Sequence, residues 1–65
     1  MEIIVNDTKL SIFEGARVID VVEMYFANQE TSFEKEKISI LDEQNHPVSF
    51  KGEMNSGDKL KIISK

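Results

Sequence analysis

His46 is the only histidine of the sequence and cysteine is absent. Neither a histidine pair for zinc, a thiolate site nor a thiol nucleophile can therefore be assembled. His46 lies in Asn45-His46-Pro47 and reads as an exposed turn residue. The acids include two close pairs. Glu34 and Glu36 alternate with Lys35 and Lys37, a solvated run of mixed charge. Asp42 and Glu43 lack the spaced oxygen ligands of a calcium loop. Gly15, Gly52 and Gly57 form neither a phosphate loop nor a dinucleotide fingerprint. Ser11, Ser32, Ser39, Ser49, Ser56 and Ser64 have no base with a sequence logic behind it. No catalytic residue and no metal ligand is assigned, no cofactor is expected, and the chain does not read as an enzyme. What remains is binding chemistry.

Binding residues need elements to hold them. Met1, Ile3 and Val5 alternate in a β-branched run, Asn6-Asp7-Thr8-Lys9 has turn chemistry, and Leu10-Ser11-Ile12-Phe13 alternates again; the two runs predict a hairpin. At Glu14-Gly15-Ala16-Arg17 the period changes from 2 to 3.6. Advancing about 100° per residue gathers Val18, Ile19, Val21, Val22, Tyr25 and Phe26 into an arc of roughly 160°. This predicts a core-facing helix from Ala16 or Arg17 to Ala27-Asn28, with no Ser, Thr, Asp or Asn at its start to act as a cap. Residues 28–37 are a polar connection anchored by Phe33. Ile38–Leu41 is a third strand, Asp42–Pro47 a turn, Val48-Ser49-Phe50 a short fourth strand and Lys59–Ile63 a fifth. One helix across one face of a single sheet is the economical packing for this order, an α+β arrangement. The last strand is expected beside the first and parallel to it.

Alternation then selects the binding residues. If Ile3, Val5, Leu10 and Ile12 face the helix, Ile4 and Phe13 point to the other side. If Leu60 and Ile62 face the helix, Lys61 and Ile63 join them there. Ile4, Phe13, Lys61 and Ile63 are the candidate partner-binding residues, on an apolar patch of the open sheet face. Ser64 and Lys65 are expected to form a tail beyond the last strand.

Three stretches carry a family resemblance. Ile3-Ile4-Val5-Asn6, Glu14-Gly15-Ala16-Arg17-Val18 with Val21-Val22, and Ser56-Gly57-Asp58-Lys59-Leu60-Lys61-Ile62-Ile63 resemble the opening strand, helix start and Gly-Asp turn of the ThiS/MoaD sulfur carriers. The likeness covers nearly the whole chain, residues 1–65, as one domain. It implies a β-grasp, ubiquitin-like fold with a mixed sheet of about five strands and one helix across one face. It also implies docking through the open sheet face. Sulfur carriers end in Gly-Gly, on a tail beyond the last strand, which is adenylated and converted to a thiocarboxylate; in this chain Ser64-Lys65 follow the strand that ends at Ile63, and no Gly-Gly stands there.

Composition bounds the partners. The chain has 65 residues and a formal charge of −4, enough for one small domain. Residues 1–50 hold ten acids and four bases, residues 51–65 two acids and four bases. This balance argues against nucleic acid. No apolar run approaches the roughly 20 residues of a membrane span, and Met1-Glu2-Ile3 does not begin like a signal peptide, so a cytoplasmic location is expected. The leading expectation is a noncatalytic protein–protein interaction module whose partner is another protein, with an adenylating or sulfur-transfer enzyme among the candidates. Two alternatives stay open: a sulfur carrier with a longer or non-standard C-terminus, and a TGS-like regulatory domain. An exposed sheet face equally admits a homodimer.

Overall fold

The computed structural model describes all of residues 1–65. Strand β1 (Glu2–Val5) turns back into β2 (Thr8–Ser11) through Asn6 and Asp7 alone. Both turn residues are left-handed, with φ of 48° and 67°. That hand matches the twist of the flanking strands, and Asn and Asp tolerate it. The tight turn brings Thr8 and Lys9 into the second strand, which therefore starts two residues earlier than expected and ends at Ser11. Pairing still continues past its end. The Ile12 N–H donates to the Met1 carbonyl at 2.9 Å, and the Met1 amine donates to the Ile12 carbonyl at 2.7 Å.

Helix α1 (Val18–Asn28) begins without a capping side chain at Arg17. Its first free N–H groups are satisfied from far along the chain. Val18 donates to the Gly52 carbonyl at 2.8 Å and Ile19 to the Phe50 carbonyl at 2.9 Å. The Arg17 guanidinium takes the intervening Lys51 carbonyl at 2.8 Å, and the Asp20 carboxylate accepts from the Arg17 N–H at 2.9 Å. A helix end must find partners for its exposed amides; here two carbonyls of one loop, those of Phe50 and Gly52, and an acid in the first turn fill that role. No helix is long and apolar enough to cross a membrane.

A single 3₁₀ turn (Lys35–Lys37) leads into β3 (Ile38–Leu41), and the last strand is β4 (Lys59–Ser64). The sheet order is β2-β1-β4-β3. As expected, β4 lies beside β1 and parallel to it, and it pairs antiparallel with β3. The molecule is thus an α+β domain of one helix and a mixed sheet of four strands. The expected fourth strand at Val48-Ser49-Phe50 does not form. Pro47 makes an isolated bridge to Leu41 and Val48 donates to the Ile40 carbonyl at 3.0 Å. Ser49 then accepts from the Lys51 N–H through its Oγ at 3.1 Å, and Gly52 donates to the Ser49 carbonyl at 3.0 Å. This local turn diverts the backbone from the sheet edge to the helix start.

The core lies between helix and sheet. Ile3, Val5, Leu10, Ile12, Ile38, Ile40, Leu60 and Ile62 are buried from the sheet side, and Val18, Val21 and Val22 from the helix, with Ala16 and Met54 closing one end. Tyr25, Phe26, Phe33 and Phe50, expected as core or anchors, are half-buried at its margin. Phe33 stacks on Phe26 with centroids 4.9 Å apart.

Candidate functional site

The buried set leaves the odd-phase residues of every strand on the open face. Strand register fixes their neighbours. Ile4 stands between Lys9 on β2 and Lys59 on β4. One pleat further along β4, Lys61 lies opposite Leu41; one further still, Ile63 lies opposite Ser39. Ile4 and Leu41 are half-buried and the three lysines are exposed. Ile63 is 46% exposed, although most of a soluble domain's large aliphatic residues are covered. The Lys61 ammonium donates to the Asn45 Oδ1 at 2.9 Å, which holds its stem across the face. A shallow groove of about 420 Å³ runs over Ile4, Lys59 and Lys61, walled by Asp7 on one side and by Asp42 and Glu43 on the other.

Of the four candidate residues, Ile4, Lys61 and Ile63 share this surface and Phe13 does not adjoin it. Phe13 lies four residues beyond Lys9, and Ile63 four beyond Lys59, in opposite directions from Ile4. At ~3.3 Å per residue the two are roughly 25 Å apart, nearly the 27 Å breadth of the molecule. Phe13, 60% exposed, is a separate feature at the β2 edge, so the single patch of Ile4, Phe13 and Ile63 is not formed. Nor are Ser64 and Lys65 a free tail. Ser64 is the last residue of β4, opposite Ile38, and Lys65 donates to the Lys37 carbonyl at 3.0 Å.

Two features escaped the sequence reading. Asn6 supplies the β1–β4 ladder after β1 has turned away: its Oδ1 accepts from the Ile62 N–H at 2.9 Å and its Nδ2 donates to the Ile62 carbonyl at 3.1 Å. The asparagine side chain thus replaces a strand residue. Tyr25, Phe26, Phe33, Ile38 and Ile62 line a groove of about 470 Å³ beside the C-terminal end of α1. The periodicity of the helix placed two of these rings but not the rest. As for reactive groups, no three His, Asp or Glu side chains converge closely enough to hold a metal ion, and His46 stands exposed in its turn. The helix start, where an anion could otherwise bind, is occupied by the carbonyls of Phe50 and Gly52. Set against family models, curated proteins and solved structures, the chain matches none.

Proposed function

We propose that this chain is a noncatalytic β-grasp module, similar to ThiS/MoaD proteins, that docks another protein on its open sheet face. The strand order β2-β1-β4-β3, with the helix between the opening hairpin and β3, is what supports the fold reading. The observation that carries the function is one-sided covering. The helix and the 47–58 segment bury one face, while Ile4, Leu41 and Ile63 lie among Lys9, Lys59 and Lys61 on the other with no element over them. Apolar side chains separated by long amphipathic ones suit a partner that is apolar at its centre and charged at its rim.

The test is site-specific photocrosslinking in the native cell. A benzophenone-bearing residue replaces Ile63 in one variant and Glu23, on the exposed side of α1, in another. The expected result is one identified protein joined from position 63 and not from 23, with the product reduced at least tenfold by Ile4→Asp. Equal products from both positions, or none from 63, overturn the docking face. An oxygen-to-sulfur mass increase at the C-terminal carboxyl would favour the sulfur carrier instead.

A further inference from the structure

Lys9, Lys59 and Lys61 stand together on the open face. Lys9 and Lys59 flank Ile4 from the two neighbouring strands, and Lys61 follows Lys59 one pleat on. With strands about 4.8 Å apart and a rise of ~3.3 Å per residue, the three α-carbons fall within roughly 12 Å. None of the three is in an ion pair; the pairs formed are Met1–Glu14, Arg17–Glu53 and Lys37–Glu34. Lysine on a strand ordinarily protects a sheet edge. That accounts for Lys9 on the outer strand β2, but β4 is an inner strand, between β1 and β3. Lysine is also depleted in strands, so its two places on the open side of β4 need a cause outside the sheet. The turn after β3 shows the charge being kept. Asp42 commits one carboxylate oxygen to the N–H groups of Gln44 and His46. Asn45, at a φ of 65° in that turn, accepts from the Lys61 ammonium through its Oδ1 at 2.9 Å. A neutral amide thus fixes the ammonium, while Asp42 and Glu43, which line the same groove, form no ion pair with it.

We propose that the partner of the open face is a protein surface that presents carboxylates, set around an apolar side chain, to Lys9, Lys59 and Lys61. The inference rests on the docking reading above and names the chemistry of the occupant. Charge complementarity selects it. The three lysines against Glu2, which shares the face of Ile4, give this face a positive balance on a chain of formal charge −4. The apolar side chain of the partner seats on Ile4 and Leu41, and its acids meet ammonium groups that have no acid of their own. A second copy laid face to face would set lysine against lysine. A nucleic acid or an anionic membrane is a continuous anion, and here the basic cluster is fenced. Glu2 lies one pleat before Ile4, Asp7 stands on one side of the groove, and Asp42 and Glu43 stand on the other. A long polyanion has to cross those acids, whereas a folded protein places bases opposite them and acids opposite the lysines.

The test photolyses the chain, with a benzophenone-bearing residue in place of Ile63, in an extract of the native cell. The expected product is one protein whose crosslinked segment, mapped by mass spectrometry, holds Asp or Glu. Its yield should fall about fivefold from about 50 mM to about 500 mM sodium chloride, which screens exposed charges. Lys59→Gln with Lys61→Gln should lower it about fivefold at low salt, the size of two exposed charge pairs, and Lys59→Arg with Lys61→Arg should keep it. Lys35→Gln with Lys51→Gln removes the same charge from exposed lysines outside the face and should leave the yield unchanged. Asn45→Asp should lower it with Lys61 intact, because a carboxylate then takes the place of the amide that holds the ammonium. Lys59→Glu with Lys61→Glu should abolish the product, and changing the crosslinked acids of the partner to lysine should restore it. A product that withstands both salt and Lys59→Gln with Lys61→Gln overturns this inference and leaves the docking face standing. No product from position 63 overturns both. A product consumed by nuclease, or extracted with lipid, assigns the face to nucleic acid or membrane and overturns the inference as well.

Discussion

Asn6 does two things at once, and they can be separated by substitution. Its backbone adopts a φ of 48° to make the turn, and its side chain exchanges two hydrogen bonds with Ile62. Glycine keeps the first and deletes the second, because it enters the left-handed region without strain. Asn6→Gly should therefore lower stability by about 1–3 kcal/mol, the cost of leaving buried backbone groups unpaired. Urea unfolding followed by circular dichroism checks this, and an unchanged midpoint would show the side-chain bonds to be expendable. The turn chemistry of Asn6 was legible in the sequence. Its pairing with Ile62 was not, since fifty-six positions separate the two and nothing local marks the contact. Phe13 teaches the same lesson. Alternation assigns it a face, but adjacency depends on register, which places it at the far corner from Ile63.

Among the elements, the helix was the most legible and its start the least. Val18, Val21 and Val22 follow the apolar period and are buried as it requires. No capping side chain stands at Arg17 because the caps are main-chain carbonyls of Phe50 and Gly52. The same loop explains the missing fourth strand: Val48-Ser49-Phe50 alternates like a strand, yet after Val48 the Ser49 carbonyl turns back to Gly52 and the Phe50 carbonyl goes to the helix start. Asp20 is the one local contributor, accepting from the Arg17 N–H at 2.9 Å. Asp20→Ala should cost about 1 kcal/mol, typical for a lost helix-start acceptor, read as a lower urea midpoint with an unchanged slope. A changed slope would mean that the variant unfolds in parts rather than fraying at one end.

For the molecule as a whole, α+β class and the parallel placement of the last strand were legible, whereas the sheet has four strands where about five were expected. The decisive feature is the position of β4. Strands β1 and β3 do not pair with each other; each pairs with β4. A version ending at Asp58 should accordingly show no cooperative unfolding transition and no protected amides in Ile3 or Ile40. A folded spectrum from that version would mean that the hairpin and helix suffice on their own, against the marginal stability of an isolated hairpin.

Synthesis runs from the amino terminus, so the keystone of this sheet is the last of its strands to be made. A growing chain carries the opening hairpin, the helix segment and β3 before residues 59–64 exist to join them. The Val18 and Ile19 N–H groups at the helix start are left to water until Phe50 and Gly52 arrive. Throughout elongation the apolar sides of these pieces have nowhere to go, and folding is deferred until β4 has cleared the ribosome. The interval during which the chain is open to chaperones and proteases is therefore set by the emergence of six residues.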